Sequence, residues 1–156
     1  MNGAFTRLEA YSTEMRYGFD TRSLGRFDFG LSAYFPTEYT SSVNNVTVTD
    51  SGSIIGVQRS YSLGSNWRLN DLGLNLAVFH TPKTQFSNTQ TVETRETLFL
   101  DKYWLVNGGA SYRFGENGIA RLAVTNLLDK DPPYPSIGDG YDVLGRRYNL
   151  SYEWTF

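Results

Sequence analysis

The sequence predicts an all-β chain that forms part of an antiparallel, up-and-down transmembrane β-barrel. Three observations support this fold class. About seven long segments alternate between apolar and polar side chains, which is the period of a strand with two unlike faces. Short and long connections alternate between these segments. The last segment keeps an aromatic apolar face up to the final residue of the sequence.

The predicted strands are bounded by polar or turn-forming residues. They cover 4–19, 26–40, 54–69, 72–86, 102–114, 119–128 and 147–156. The first alternates regularly only from Glu14 onward. The second carries Pro36 late, where a strand ladder ends or becomes irregular. In the third strand, one face is expected to hold Ile55, Val57, Tyr61, Leu63 and Trp67.

The connections between these strands are predicted to differ at the two ends of the sheet. Short turns are expected near 20–25, 70–71 and 115–118, and long loops near 41–53, 87–97 and 129–144. Because each strand reverses the chain, all short turns lie at one end and all long loops at the other. Outer-membrane barrels show this asymmetry, with short periplasmic turns and long extracellular loops.

The apolar faces of these strands are expected to contact lipid. The predicted membrane-facing residues are Phe27, Phe29, Leu31, Leu74, Leu76, Tyr112, Phe114, Leu122, Val124, Tyr148, Leu150, Tyr152, Trp154 and Phe156. Aromatic side chains gain from the boundary between lipid and water. The residues predicted to lie in such interfacial bands are Trp67, Trp104, Tyr112 and Trp154. A soluble sheet that buries its apolar side would show the same alternation, so a soluble β-sandwich binding module remains an alternative.

The opposite faces are predicted to line a water-filled lumen. They carry glycine, serine, asparagine and charged residues, which suit a wet interior better than a packed core. Charged positions on this side include Arg113, Arg121, Arg147 and Glu153. We expect these side chains to pair with one another or to meet a domain inside the barrel.

Composition restricts the functions open to the chain. The 156 residues carry a formal net charge of -2, which gives no electrostatic case for binding nucleic acid. There is no cysteine, and the single histidine, His80, has no identifiable catalytic or metal-binding partner. The acidic residues between Asp129 and Asp142 lack the spacing of a calcium loop. We therefore expect no enzyme activity, no catalytic residues, no metal and no cofactor.

The strand count has a consequence for the sheet edges. Single-chain bacterial barrels close with an even number of strands, whereas about seven are predicted here. An open sheet leaves unpaired backbone groups at both edges, which lipid does not tolerate. We expect a sheet whose first and last strands do not meet. The N-terminal residues also lack a signal-peptide pattern, which points to a piece of a longer protein.

The last third of the chain resembles the C-terminal end of TonB-dependent outer-membrane receptors. The matching motifs are Tyr-Arg-Phe-Gly at 112–115, Ala-Val-Thr-Asn-Leu-Leu-Asp-Lys-Asp-Pro-Pro at 123–133, Gly-Tyr-Asp-Val-Leu-Gly-Arg-Arg-Tyr at 140–148 and the terminal Trp-Thr-Phe at 154–156. The motif match covers about residues 103–156, and upstream only the rhythm of strands and loops agrees.

The resemblance implies the last strands of a 22-stranded barrel in the outer membrane of a Gram-negative bacterium. The N-terminal plug domain and the TonB box are absent from these residues. The family takes up scarce nutrients such as siderophores, cobalamin or saccharides, and contacts with the TonB complex would come from the missing N-terminal parts. The final strand ending in Phe156 resembles the signal read by the outer-membrane assembly machinery.

Two kinds of role are weighed for the last long loop. Asn126 and Asp129 are expected to end the preceding strand and to bond loop backbone groups. The best candidates for contact with an unidentified small-molecule ligand lie near the loop tip, at Tyr134, Asp139 and Tyr141. A small stand-alone outer-membrane barrel is the second alternative to the receptor. An enzyme of the outer membrane would need a nucleophile–base pair, which the sequence does not offer.

Overall fold

The computed structural model describes residues 4–53, 58–135 and 141–156. Within these ranges the chain is all β. Its strands are β1 (Phe5–Thr21), β2 (Gly25–Val43), β3 (Val46–Thr49), β4 (Ser60–Leu69), β5 (Leu72–Thr81), β6 (Thr84–Gln85), β7 (Phe99–Leu100), β8 (Tyr103–Phe114), β9 (Gly118–Thr125) and β10 (Arg147–Trp154). No helix long and apolar enough to cross a membrane occurs in the described ranges.

Seven of these strands form one antiparallel sheet in the order β1-β2-β4-β5-β8-β9-β10. Each neighbour in space is also the next long strand along the chain, so the topology is up-and-down. Two short antiparallel ladders accompany this sheet: β3 pairs with the end of β2, and β6 pairs with β7. The predicted all-β antiparallel fold is confirmed. An origin in a 22-stranded barrel stays a prediction.

The sheet is open, as the odd strand count predicted. β1 pairs only with β2, and β10 pairs only with β9. Because every step across the sheet reverses direction, the first and seventh strands run the same way. Their free edges could pair with each other only in parallel. Closing the sheet into a barrel with antiparallel pairs throughout therefore needs an odd number of further strands.

The sheet has two unlike ends. The turn end carries the short turns at 22–24, 70–71 and 115–117, where the chain reverses within two or three residues. The loop end carries the connections between β2 and β4, between β5 and β8, and between β9 and β10. The predicted asymmetry between short and long connections is therefore present in the structure.

Several predicted boundaries need correction. The segment 41–53, predicted as a loop, contains β3, because Asn44 and Asn45 adopt the positive φ angles of 52° and 65° that a tight hairpin turn requires. β5 ends at Thr81 rather than near Phe86, just before Pro82. β4 begins at Ser60, and the predicted strand positions at 55 and 57 lie outside the described residues.

β9 is also shorter than predicted, because Asn126 leaves the strand with a φ of 54°. The irregularity predicted at Pro36 is confirmed by the pairing of β1 with β2. Ala10 pairs with Pro36, whereas the preceding residue, Glu9, pairs with Glu38, so Thr37 has no pairing partner on β1. β2 therefore carries one extra residue there, which is a β-bulge that accommodates the missing N–H of the proline.

The main sheet is a single layer. Among the described residues, the buried hydrophobic side chains are Leu100, Tyr103 and Tyr141, and all three lie at the loop end. Leucine, phenylalanine and tyrosine side chains elsewhere on the sheet are exposed or half-buried. The described residues thus place no second sheet over either face, whereas a β-sandwich requires two packed sheets.

Candidate membrane-facing surface and loop layer

The strand register joins the apolar residues of seven strands into one continuous face. One row across the sheet runs through paired residues in strand order: Phe19, Phe27, Trp67, Leu74, Ala110, Leu122 and Leu150. The next row on the same face runs through Tyr17, Phe29, Ser65, Leu76, Gly108, Val124 and Tyr148. Paired residues point to the same side of a sheet, so the alternation of each strand is in phase with that of its neighbours.

The register places the predicted membrane-facing residues of the strands on this face. Leu31, Tyr112, Phe114, Tyr152 and Trp154 complete the set within the strands. Phe156 follows the end of β10 and is fully exposed. A one-residue slip in any strand would have moved its residues to the opposite face. The shared face is thus a property of the structure, while its contact with lipid stays a prediction.

Aromatic side chains form bands at both ends of the apolar face. The turn-end band consists of Phe19, Phe27, Trp67, Tyr112, Phe114, Tyr152 and Trp154. The loop-end band consists of Tyr11, Phe35, Tyr61, His80 and Trp104. The indole N–H of Trp67 donates to the carbonyl oxygen of Leu24 at 2.6 Å. This gives the ring the apolar body and satisfied polar tip that suit a lipid–water boundary.

The separation of the two bands fits the thickness of an outer membrane. Phe27 and Phe35 lie eight residues apart on β2, as do Trp104 and Tyr112 on β8. Eight residues of strand span about 26 Å. A tilt of about 40° reduces this length to a height of roughly 20 Å, close to the apolar band of about 25 Å in outer-membrane barrels.

The extent of the apolar face is unusual for a soluble monomer. The seven strands leave six spacings of about 4.8 Å, so the area between the bands is roughly 750 Å². The largest apolar patch of a typical soluble monomer covers about 300–600 Å². Nothing in the described residues covers this face, and Leu150 at its edge is 78% exposed.

The opposite face is polar and carries several ion pairs. Arg26 contacts Asp28 at 2.9 Å and Asp20 at 3.3 Å, and Arg121 contacts Glu153 at 2.9 Å. These side chains are roughly half exposed, so each pair adds little to stability. The expected pairing among the charged residues of this face is found for Arg121 and Glu153.

A layer of loops at the loop end is organised by Asp50, which the sequence did not single out. Oδ1 of this buried carboxylate accepts hydrogen bonds from the hydroxyl of Ser87 at 3.0 Å and from the backbone N–H of Asn88 at 2.8 Å. The carbonyl oxygen of Asp50 accepts from the hydroxyl of Ser53 at 2.8 Å. Asp50 therefore connects the loop after β3 with the loop after β6.

The loop between β9 and β10 is held by Asn126 and Asp129, as expected from the sequence. Asn126 is fully buried; its side-chain oxygen accepts from the backbone N–H of Lys130 and its Nδ2 donates to the carbonyl oxygen of Lys130, both at 3.0 Å. Oδ1 of Asp129 accepts from the backbone N–H of Arg146 at 2.9 Å. These contacts close the start of the loop onto its end.

Asp142 and Arg147 fix the return of this loop into β10. The two side chains form a forked pair, with N–O distances of 2.7 and 2.9 Å. The carboxylate of Asp142 also accepts from the N–H of Leu144 at 3.0 Å. The hydrogen bonds from Arg147 lower the pKa of Asp142 below its ordinary value, more than desolvation raises it.

The predicted ligand contacts do not form one cluster in the described residues. Tyr134 is 81% exposed, so its ring is free to meet a ligand. Tyr141 is buried and packs edge-on against Tyr103, with ring centroids 5.1 Å apart. Asp139 lies outside the described residues. The described side chains also include no group of three or more His, Cys, Asp or Glu residues placed to hold a metal ion.

No family model, curated protein or solved structure matches the chain. The class that the fold itself defines is an open, single-layer antiparallel sheet with one continuous apolar face, one polar face and unlike ends.

Proposed function

We propose that this chain forms part of the wall and the extracellular loops of a TonB-dependent receptor in a bacterial outer membrane. The observation that carries the proposal is the continuous apolar face, bounded by aromatic bands and backed by a polar face. Lipid would cover the apolar face, and a water-filled lumen would solvate the polar face. The motif resemblance of residues 103–156 supplies the receptor family.

The open edges support a larger barrel. Antiparallel closure requires an odd number of additional strands, because β1 and β10 run in the same direction. A 22-stranded transporter barrel would need 22 - 7 = 15 further strands, which is odd. Two copies of this sheet in the same orientation would instead meet through parallel pairs. Closure by further strands of the same receptor is therefore favoured over closure by a second copy.

In this role the chain would guide and enclose a nutrient rather than transform it. The loop layer lies at the end that faces the medium, where a siderophore, cobalamin or a saccharide arrives. Exposed Tyr134 offers an aromatic ring for initial contact. Energy for uptake would be supplied by the TonB complex acting on other parts of the receptor. The final strand and Phe156 would be recognised by the outer-membrane assembly machinery.

The alternatives are less consistent with the single-layer sheet. A soluble β-sandwich binding module would need a second layer over roughly 750 Å² of apolar face. A small stand-alone barrel would need an odd number of further strands, with eight strands in total as its smallest form. The described side chains of the polar face are mostly exposed or half-buried, whereas packed side chains usually fill so small a barrel.

A cysteine scan along β5 would test the membrane-facing prediction. The chain contains no cysteine, so single substitutions at Leu74, Asn75, Leu76, Ala77 and Val78 each introduce one labelling site. A polarity-sensitive fluorophore should report an apolar environment at 74, 76 and 78 and water at 75 and 77 when the protein is reconstituted in bilayers. Equal emission at all five positions would contradict the proposed orientation.

The transport part of the proposal needs a separate test in the producing bacterium. Disruption of the gene should abolish uptake of one class among labelled iron chelates, cobalamin and saccharides. Removal of TonB should abolish the same uptake to the same extent. If uptake of each class persists without the gene, the receptor proposal fails even where the membrane orientation is correct.

A further inference from the structure

The apolar face contains a groove directly below the loop-end band. Its walls come from Leu31, Leu63 and Val78, and its upper end is closed by Tyr61, His80 and Trp104. The rings of His80 and Trp104 are stacked with centroids 3.9 Å apart, and Tyr61 lies 5.9 Å from His80. This groove is called the loop-end groove below. Its walls are apolar, and the three aromatic side chains at its upper end form its rim.

Two cationic residues follow the rim toward the loop end. Arg59 is two residues before Tyr61, and Lys102 is two residues before Trp104. Arg59 immediately precedes β4, and Lys102 immediately precedes β8. When the alternation of each strand is continued by this one residue, both side chains lie on the side of the sheet that carries the groove. The two strands are separated only by β5, so the backbones at Arg59 and Lys102 are about 10 Å apart. Both long side chains can reach a common point above His80.

These two cations differ from Arg7, a third cation near the loop end of the sheet. Arg7, at the edge of the sheet, forms ion pairs with Glu9 and Glu38. Arg59 and Lys102 are exposed and have no ion-pair partner among the described side chains. Alternation places the neighbouring Asp101 on the opposite side of the strand from Lys102.

We infer that the loop-end groove and the cations above it bind a lipid with a phosphate-bearing headgroup, one acyl chain lying between Leu31, Leu63 and Val78. This inference rests on the proposed function, since the face must first lie in a bilayer. The charge argues for an anionic rather than a zwitterionic headgroup. Two cations that are unpaired among the described side chains attract phosphate, since no described carboxylate forms an ion pair with either of them.

His80 adds a directional contact to this site. Its Nδ1 lies 3.1 Å from the carbonyl oxygen of Tyr103, which can only accept, so Nδ1 carries the proton. The ring is then fixed by that bond and by stacking on Trp104, and Nε2 is left to accept a hydrogen bond from a hydroxyl of the headgroup rather than from its phosphate. The turn end offers no comparable pair of cations on the apolar side. Its turns carry Asp71, Glu116 and one arginine, Arg22, and the strand register places Arg26, Arg68 and Arg113 on the polar side.

Photo-crosslinking with defined lipids tests the inference in the intact protein. The protein is reconstituted in phosphatidylcholine bilayers containing a trace of diazirine-labelled phosphatidylglycerol or, in a parallel sample, diazirine-labelled phosphatidylcholine with the same acyl chains. Crosslinked peptides of β4, β5 and β8 are then quantified. The anionic lipid should be captured in the groove about fivefold or more in excess, the effect expected of each nearby cation.

Variants separate the headgroup contact from folding. The double substitution Arg59→Gln/Lys102→Gln should bring the capture ratio of the two lipids close to one. Arg59→Lys/Lys102→Arg keeps both charges and should keep the excess, whereas Arg22→Gln at the turn end should leave it unchanged. If the wild-type protein captures both lipids equally, or if the glutamine variant keeps the excess, the headgroup inference is wrong. If neither lipid is captured in the groove, the membrane-facing proposal itself fails.

Discussion

The main sheet and the loop layer differ in how much of their side-chain surface they bury. The sheet leaves the leucine and aromatic side chains of its apolar face exposed or half-buried, and its strands are joined mainly by backbone ladders. The loop end instead buries both apolar side chains, namely Leu100, Tyr103 and Tyr141, and polar ones, including Asp50, Ser53, Ser87 and Asn126. It satisfies these polar groups with hydrogen bonds. The sheet therefore depends on its surroundings for apolar burial, whereas the loops are held together from within.

The largest effect should follow from placing a charge on the apolar face. Leu76 lies midway between the aromatic bands, opposite Gly108. Leu76→Arg should destabilise the protein in bilayers by about 2–4 kcal/mol, because a midplane arginine must leave water. Chemical denaturation of the protein folded into vesicles measures this cost.

The neighbouring residue supplies the matched control for Leu76→Arg. Ala77 belongs to the same strand but to the polar face, where it pairs with Gly64 and Asn107. Ala77→Arg should cost less than about 1 kcal/mol, because its charge stays in the aqueous lumen. Equal losses for the two variants would show that the faces do not differ in their surroundings.

The next largest effect should come from Asn126 in the loop layer. Asn126→Ala removes two hydrogen bonds to Lys130 and places alanine at a φ of 54°. Together these losses should cost about 2 kcal/mol. Asn126→Gly keeps the backbone conformation accessible, so it should recover part of the loss. If both variants are as stable as the parent, the loop is not held by this residue.

These two regions also differ in how far the sequence predicts them. Strict alternation made β2, β8 and β10 predictable, because a period of two needs no knowledge of distant residues. The role of Asp50 could not be predicted in the same way. Its partner Ser87 lies 37 residues away, and only the paired strands between them bring the two loops together. Asn44-Asn45 was a local signal for β3, since asparagine tolerates positive φ.

A smaller effect is expected at Asp50 itself. Asp50→Asn keeps an oxygen acceptor but removes the charge that strengthens the bonds from Ser87 and Asn88. The loss should be about 1 kcal/mol and confined to the loop layer. Hydrogen exchange at the Asn88 amide should accelerate about fivefold, while the amides of β5 keep their rates. Asp101→Asn, at an exposed position, is the control. Faster exchange throughout the sheet would show that the two regions unfold together.

The smallest effect is a local change at acidic pH. Arg147 lowers the pKa of Asp142 in the folded loop, so ionised Asp142 stabilises the loop above the ordinary aspartate pKa of about 3.9. As pH falls through the lowered folded-state value, the carboxylate takes up a proton and this contribution is lost. The amide resonance of Leu144, whose N–H donates to Asp142, should shift over that range. Asp142→Asn should abolish the shift, and a shift that persists in this variant would assign the transition to another group.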